Sequence, residues 1–197
     1  MKIIDNAFSP EIFKQIQDEI LGFSFPWHYG RRVSPDDGSE DNPYMIGWVH
    51  TIADLGVETK YTQELFDVIQ SELVKVLTKE NESILEIGRV RLICNTKGDQ
   101  AYTTRPHIDF DHIHQTALLY INDSDGNTVI YNERYKPMFG TGSQKDYSNI
   151  KNRLTVKAEI EPKANRLVLF DGLHYHSGTI PVTSSRRIIM NINYKQR

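Results

Sequence analysis

Hydrophobic and polar positions divide the chain into an early part with helical spacing and a later part with strand spacing. Ser9, Pro10 and Glu11 form a helix start, with a capping residue before a proline at the first helical position. Apolar residues then recur at i, i+3 and i+4, first over residues 10–21 and again over residues 59–79. These runs predict two amphipathic helices. Their apolar faces contain Ile12, Phe13, Ile16 and Ile20 in the first, and Leu65, Phe66, Ile69, Leu73, Val76 and Leu77 in the second.

From about residue 87 the pattern changes to the short apolar or alternating runs that are typical of β-strands. The predicted strands are 88–95, 115–122, 127–131, 154–160, 166–170 and 186–194. Helices followed by strands indicate an α+β fold in which N-terminal helices buttress one side of a β-sandwich. A chain of 197 residues is most simply one domain, with residues 1–85 as helical support and residues 86–197 as the sandwich core.

Two segments lack periodicity and are rich in turn-forming residues. They are Gly30–Asn42 and Glu133–Asn149. Loops of this length in a compact domain are commonly functional lids or disordered segments. The second segment lies between the two halves of the histidine motif described below, so we expect both loops to cover an active site.

Composition narrows the possible partners and compartment. The formal net charge is -3 and the pI is about 6.2, so there is no basic footprint of the kind that nucleic-acid binding by bulk electrostatics requires. A single cysteine excludes an internal disulfide and fits a reducing compartment. No apolar run has membrane-spanning length, and the amino terminus has no signal-peptide pattern. We expect a cytoplasmic protein that binds neither nucleic acid nor membrane.

The candidate chemistry begins with His107 and Asp109. Residues i and i+2 of a strand point to the same face, so the two side chains can meet at one point. A later histidine can complete a set of two histidines and one carboxylate, the arrangement of non-haem Fe(II) oxygenases. His174 and His176 share parity, so either could be this third ligand.

A second histidine pair offers an alternative metal site. His112 and His114 form an H-x-H motif of the kind found in metal-binding cupins, which are also jelly rolls. In a regular strand they would face away from His107 and Asp109, and no glutamate follows at the cupin spacing. We therefore interpret them as loop or substrate-side residues. His28 and His50 lie among aromatic residues and fit either packing or a place in a substrate pocket.

Several further segments occur in a recognisable order around these histidines. They are Arg91–Asn95, Ala117–Asn122, Gly126–Tyr131, Glu161–Gly172, Pro181 and Arg186–Asn191. This order resembles the 2-oxoglutarate/Fe(II)-dependent dioxygenases, specifically their prolyl-4-hydroxylase-like branch with its phage and marine microbial members. The likeness covers roughly residues 88 to 195. One departure is Asn165, where the family often has glycine in a turn, but asparagine tolerates left-handed backbone angles.

The resemblance implies a double-stranded β-helix, or jelly roll, and a set of roles for particular residues. It implies His107, Asp109 and His176 as ligands of Fe(II), and it favours His176 over His174. The distal carboxylate of 2-oxoglutarate would bind an arginine, which can hold a carboxylate through two hydrogen bonds. Strand alternation lets only one of two arginines face inward. The candidates for this co-substrate site are Arg187, Arg186, Tyr120 and Asn95.

The expected activity is hydroxylation of a substrate with Fe(II), 2-oxoglutarate and O2, releasing succinate and CO2. The branch suggests a peptidyl proline as the substrate, but related folds act on small molecules, and a fold does not fix a function. Two alternatives remain at this point: a non-catalytic metal- or ligand-binding jelly roll, and a cupin-type metalloenzyme that needs no oxo-acid.

Overall fold

The computed structural model describes residues 1–31, 33, 42–54, 57–58, 63–136 and 152–197. Its two α-helices are α1 (Pro10–Leu21) and α2 (Gln63–Lys79), and a 3-10 turn covers Pro43–Met45. Its strands are β1 (Lys2–Ile4), β2 (His28–Gly30), β3 (Gly47–Asp54), β4 (Val57–Glu58), β5 (Ile84–Thr96), β6 (Gln115–Tyr120), β7 (Thr128–Arg134), β8 (Val156–Ile160), β9 (Leu167–Asp171), β10 (His174–Gly178) and β11 (Arg186–Gln196).

The strands form two antiparallel sheets that face each other. The larger sheet has the order β1-β9-β6-β11-β5-β3-β2, with β4 paired to β3, and the smaller has the order β10-β7-β8. Neither sheet closes on itself. The apolar layer between them contains Leu118, Tyr120, Val168, Phe170 and Ile189 from the larger sheet and Ile130 and Ile160 from the smaller. The prediction of an α+β jelly-roll sandwich with supporting helices is confirmed.

The helices lie on the outer face of the larger sheet because strand alternation gives that face its own apolar layer. Phe13, Ile16 and Ile20 of α1 are buried there, whereas the predicted core residue Ile12 is only partly buried. On β5 the alternate residues Val90, Leu92 and Cys94 join the same core. The opposite face of β5 and β11 is left free to line a cavity between the sheets.

The start of α1 differs from the sequence prediction. Ser9 makes no side-chain cap to its own helix. Its backbone N–H instead donates to Glu72 Oε2 of α2 at 2.9 Å, so the first turn is tied to the other helix. The described part of α2 begins at Gln63, and the predicted residues 59–62 lie outside the described part of the chain.

The sequence pattern also missed several strands. β1 and β2 have three residues each, too few to show alternation, and β3 is interrupted by aromatic and polar residues. Residues before 86 therefore supply strands to the larger sheet as well as its covering helices. Among the described helices, none is both long and apolar enough to cross a membrane.

The two expected lids fall largely outside the described residues. Residues 32, 34–41 and 137–151 are not described, so the lid assignment stays a prediction. Where the second segment is described, Glu133 and Arg134 are the end of β7 and not part of a loop.

Asn165 holds the amino-terminal segment against the turn before β9. Its φ is 62°, in the left-handed region that the sequence analysis anticipated. Its side-chain Oδ1 accepts from the Phe8 N–H at 2.9 Å, and its Nδ2 donates to the Phe8 carbonyl at 2.9 Å. Asparagine therefore provides both a tolerated backbone angle and a two-way clamp on the segment before α1.

Asn165→Ala should destabilise the fold by about 2 to 4 kcal/mol. It removes two buried hydrogen bonds, each worth about 1 kcal/mol, and puts a residue with no local polar contact at positive φ. Asn165→Gly is the matched control, because it loses the same bonds but accepts the backbone angle. Urea denaturation should rank wild type above Asn165→Gly and Asn165→Gly above Asn165→Ala. Equal stability of the glycine variant and wild type would show that the clamp contributes nothing.

Candidate metal centre

His107 and His176 are brought together by the backbone. The His107 N–H donates to the His176 carbonyl at 3.0 Å, and the His176 N–H donates to the His107 carbonyl at 2.9 Å. His176 lies on β10, but His107 belongs to an irregular segment that meets β10 at isolated bridges. The same-face argument for His107 and Asp109 relies on regular strand geometry, which this segment does not have. The reciprocal pair nevertheless leaves the two imidazole rings with their centroids 4.5 Å apart.

Asp109 completes a cluster of three possible metal ligands. One donor atom from each of His107, Asp109 and His176 lies within 4.8 Å of the others, and Asp109 Oδ2 is 3.8 Å from His176 Nε2. Among the described residues, no other group of three or more histidine, cysteine or acidic side chains is close enough together to hold a metal ion. Two imidazoles and one carboxylate match the donor set expected for non-haem iron.

Each imidazole is oriented by a carbonyl behind it. His107 Nδ1 lies 3.2 Å from the Arg105 carbonyl, and His176 Nδ1 lies 3.1 Å from the His174 carbonyl. A carbonyl only accepts, so both Nδ1 atoms carry the hydrogen and both Nε2 atoms keep a lone pair. Such a backing hydrogen bond is typical of histidines that bind metals. The donor chemistry therefore fits a divalent ion.

Burial favours the neutral, metal-binding form of His107. Removal from water, with the nearby His176 as a second cause, lowers the pKa of His107 to about 4. The opposing attraction of Asp109 is smaller. At neutral pH the His107 ring is therefore uncharged.

Asp109 is held as a carboxylate by three side-chain donors. Burial alone would raise its pKa, but the neighbouring histidines, Arg89 and Asn191 hold the pKa well below its usual range. Arg89 Nη2 donates to Oδ1 at 3.0 Å, and Asn193 Nδ2 donates to Oδ2 at 2.8 Å. Asn191 Nδ2 bridges both oxygens at 3.1 and 3.0 Å. The three donors together make two hydrogen bonds to each carboxylate oxygen, so the orientation of the carboxylate is fixed from both sides.

These three donors were missed by the sequence analysis. Arg89 lies on β5, and Asn191 and Asn193 lie on β11, far along the chain from the histidine motif. A signal was present, because polar residues at i and i+2 inside a long apolar strand must share one face. Nothing in the sequence, however, showed that this face meets Asp109.

Arg187 is a buried cation without an anionic partner among the described residues. Only 2% of its surface is exposed. Its Nε donates to the Gly126 carbonyl at 2.6 Å, its Nη2 to Thr128 Oγ1 at 2.7 Å and its Nη1 weakly to Asn95 Oδ1 at 3.5 Å. Burial lowers the pKa of Arg187, but a guanidinium stays protonated. Burying a charge that meets only neutral partners costs folding free energy. This cost indicates that a bound ligand supplies the missing anion.

Glycine allows this close approach. A Cβ on Gly126 would lie 2.8 Å from Arg187 Cδ and 2.4 Å from the Thr179 carbonyl. Any larger residue at Gly126 would displace the Arg187 side chain, so the guanidinium position depends on this glycine.

The other co-substrate candidates occupy different positions. Arg186 is exposed and lines a groove on the opposite face of the larger sheet, together with Trp27 and Trp48. Asn95 lines the same cavity as Arg187. Tyr120 is fully buried, and its hydroxyl donates to Thr128 Oγ1 at 2.7 Å, behind the residue that Arg187 also contacts. Of the four candidates, Arg187 and Asn95 line the cavity, Tyr120 lies behind them with its ring centre 5.9 Å from Arg187 Cζ, and Arg186 lies on the other face.

The remaining histidines stay outside the cluster. His174 Nε2 is 3.3 Å from Lys157 Nζ, and the pairing of β10 with β7 has a register shift between His174 and His176. His114 is buried against Gly172, with its Nδ1 2.8 Å from the His112 carbonyl. His28 and His50 stack on each other at 5.8 Å, remote from the cavity lining.

A cavity of about 330 Å³ joins these elements between the sheets. Its lining includes the three clustered ligands, Arg187, Asn95, Thr104, Thr128, Ser177, Arg89, Arg91 and Asn191. The Ser177 hydroxyl is buried and has no hydrogen-bond partner among the described residues. An unsatisfied buried hydroxyl, like the unpaired Arg187, fits a cavity that is completed by a polar ligand.

If the cavity binds 2-oxoglutarate, as the resemblance to the dioxygenases implies, Tyr120→Phe should weaken that binding less than loss of Arg187 does. The change removes the hydroxyl that fixes Thr128, while every group that lines the cavity stays. We expect a two- to tenfold rise in the half-saturating concentration, equivalent to a neutral hydrogen bond of about 0.5 to 1.5 kcal/mol. Titration of the wild type and Tyr120→Phe in parallel checks this. A rise as large as that of Arg187→Ala would place the Tyr120 hydroxyl on the ligand itself.

Comparison with known proteins gives structural likeness only. No family model matches the sequence, and no curated protein matches it. A prolyl hydroxylase of Trichoplax adhaerens, solved with a hypoxia-inducible-factor peptide fragment, is 16% identical with a TM-score of 0.61, covering 98% of this chain and 82% of that one. A 2OG-Fe(II) oxygenase family protein of Burkholderia pseudomallei is 12% identical with a TM-score of 0.64, over 98% and 84%.

A third similar structure is an enzyme of nogalamycin biosynthesis. The non-haem α-ketoglutarate-dependent epimerase SnoN of nogalamycin biosynthesis is 12% identical with a TM-score of 0.64, covering 98% of this chain and 76% of that one. The chain therefore has the double-stranded β-helix fold of the 2-oxoglutarate/Fe(II) oxygenases, prolyl hydroxylases among them.

Proposed function

We propose that this protein is an Fe(II)- and 2-oxoglutarate-dependent oxygenase that hydroxylates a substrate with release of succinate and CO2. The observation that carries the proposal is one cavity that contains both the His107, Asp109 and His176 cluster and a buried Arg187 with no anionic partner among the described residues. A metal-binding jelly roll without an oxo-acid would have no use for that arginine.

In this proposal the ligands of Fe(II) are His107 and His176 through Nε2 and Asp109 through one carboxylate oxygen. Two histidines and a carboxylate leave open coordination positions, where bound iron with 2-oxoglutarate and O2 would supply an oxidant strong enough for an unactivated C–H bond. The protein provides ligand geometry. Asn191 and Asn193 fix the carboxylate in rotation, so that it presents the same oxygen to each incoming ion.

Arg187 would pair with the distal carboxylate of 2-oxoglutarate. Its contacts to the Gly126 carbonyl and Thr128 lock the guanidinium before the ligand arrives, so little side-chain entropy is lost on binding. Asn95 and Ser177, which line the same cavity, would hydrogen-bond to the remaining oxygens. The walls of the cavity keep bulk water away from this ion pair, which strengthens it.

The substrate is a separate question. The Trichoplax protein was solved with a peptide fragment, and SnoN is an epimerase of nogalamycin biosynthesis, so one fold serves different substrates. We propose a peptide or a small molecule and no nucleic acid, since the formal charge of -3 gives no basic surface overall.

Succinate release tests the proposed function. Purified protein is incubated with Fe(II), 2-oxoglutarate, ascorbate and air, with and without a panel of peptides and small metabolites. We expect succinate that depends on both iron and 2-oxoglutarate, slow alone and faster with the true substrate. Succinate formation that persists in His107→Ala, or its complete absence from iron-loaded wild type over the whole panel, would reject the proposal.

A further inference from the structure

Two arginines share one wall of the cavity. Arg89 and Arg91 lie at i and i+2 of β5, so both side chains point to the cavity face of the larger sheet. Together with Arg187, they place three guanidiniums around a lining that contains one carboxylate, that of Asp109. The described lining is therefore strongly positive even before a metal ion binds.

The Nε and Nη2 donors of the Arg89 guanidinium are already used in hydrogen bonds within the protein. Its Nη2 donates to Asp109 Oδ1 at 3.0 Å, and its Nε donates to Asn193 Oδ1 at 3.1 Å. Its guanidinium also lies 4.5 Å from the ring centre of Phe110. The Arg89 side chain is 15% exposed, and its charge is balanced by Asp109. Arg89 thus positions a metal ligand and is not free to bind anything else.

The Arg91 side chain has no comparable contacts among the described residues. Within the described ranges its side chain makes no hydrogen bond and no ion pair within 4.0 Å, although the residue is only partly exposed. Burial, followed by repulsion from Arg89, lowers its pKa, while Asp109 and Asp54 attract it only at longer range. A half-buried guanidinium whose donors meet no partner among the described residues differs from a surface arginine, whose charge water would satisfy.

Strand register places Arg91 beside the metal ligands and away from the co-substrate arginine. Arg91 pairs with Asn191, the residue whose amide holds both oxygens of Asp109. Arg187 pairs with Asn95, four residues further along β5 and roughly 13 Å away. Two independent cationic groups therefore lie in the cavity, one at the level of the metal ligands and one at the far end.

We propose that Arg91 binds an anionic group of the substrate, a carboxylate or a phosphate, next to the carbon that is oxidised. The inference rests on the proposed function and names the substrate class of the same site. With 2-oxoglutarate paired to Arg187 and Asp109 paired to Arg89, the charge of Arg91 is the one left for a third molecule. A small molecule with a free acidic group meets this requirement, and the neutral interior of a peptide does not.

The test uses paired probes that differ by one acidic group. Free L-amino acids are compared with their carboxamides, and glycerol 3-phosphate is compared with glycerol. Binding is measured by saturation-transfer NMR on protein loaded with Zn(II) and 2-oxoglutarate, and again on protein without additions. For wild type we expect at least one anionic probe to bind about 10- to 150-fold more tightly than its neutral partner, as for a charge-assisted hydrogen bond.

Arg91→Gln should reduce that preference to less than about threefold, while the affinity for 2-oxoglutarate changes little. Arg91→Lys keeps the charge but loses the planar fork, so it should retain part of the preference and serves as a second variant if the glutamine variant folds poorly. Arg186→Gln removes an exposed arginine from the opposite face and should behave as wild type. Circular dichroism of each variant checks that it is folded.

Three results would overturn the inference. They are equal binding of charged and neutral probes by wild type, an unchanged preference in Arg91→Gln, and no binding of any anionic probe. A rise in the 2-oxoglutarate dissociation constant as large as that of Arg187→Ala would also overturn it, by assigning Arg91 to the co-substrate. Failure of wild type to bind 2-oxoglutarate counts against the proposed function alone. The preference for anionic over neutral probes is also measured on protein without Zn(II) and 2-oxoglutarate, so it can be tested independently.

Discussion

Substitution of His107, Asp109 or His176 by alanine should reduce iron-dependent succinate formation to background. Each change removes one of three donors, and two remaining donors hold a divalent ion too weakly and in no fixed geometry. His174→Ala is the matched control. It lies two residues from His176 on the same strand but contacts Lys157, so it should keep wild-type iron stoichiometry and turnover. Metal analysis and succinate assays on the four purified variants measure this.

Asp109 needs its own control, because it is also the partner of Arg89. Asp109→Ala leaves that guanidinium buried without a counter-charge, which costs about 3 to 5 kcal/mol of stability. The double variant Asp109→Ala with Arg89→Met removes both charges and should recover much of the loss in urea denaturation, while turnover stays at background. Recovered turnover in the double variant would exclude Asp109 as a ligand.

Arg187→Ala should raise the half-saturating concentration of 2-oxoglutarate by roughly 30-fold to several-thousand-fold. Truncating one partner of a buried, hydrogen-bonded charge pair costs about 2 to 5 kcal/mol of binding free energy. Arg186→Ala should change the value less than about twofold, because Arg186 lies exposed on the other face of the sheet. Small and equal effects of both substitutions would show that neither arginine binds the distal carboxylate of 2-oxoglutarate.

A stability measurement shows whether Arg187 binds 2-oxoglutarate or mainly supports the fold. In the protein without 2-oxoglutarate, Arg187 is a buried cation with neutral partners only among the described residues. Arg187→Met should therefore not lower the unfolding temperature of the unliganded protein, although it abolishes the rise that 2-oxoglutarate produces in wild type. A marked loss of stability without ligand would show that Arg187 mainly supports the fold.

The sequence predicted the parts of the fold that local periodicity determines. Helix α1 was predicted with its observed bounds, because an amphipathic run of twelve residues with a proline at its start is a strong local signal. β1 and β2 were not predicted, because three-residue strands are stabilised by the neighbour they pair with and not by their own pattern. The pairing of β1 with β9 joins residues far apart in sequence.

In the candidate site, too, local sequence features could be predicted and contacts between distant segments could not. The motif around His107 and Asp109 and the late His176 could be found in the sequence, and parity could show that only one of Arg186 and Arg187 faces inward. Parity could not decide which one, since that depends on the register between β11 and its neighbours. The arginine and asparagines that hold Asp109 were missed because their contacts cross strands that are up to 84 residues apart in sequence.

Anaerobic titration with Fe(II) and then 2-oxoglutarate tests the central claim most directly, since it needs no knowledge of the substrate. Chelation of iron by the keto acid gives a weak visible charge-transfer band in this class of oxygenase. We predict that the band appears at one equivalent of Fe(II) per chain, requires 2-oxoglutarate, shifts to much higher 2-oxoglutarate concentration in Arg187→Ala and is absent from His176→Ala. Iron binding without a band at saturating 2-oxoglutarate, or a band that survives in His176→Ala, would contradict the account.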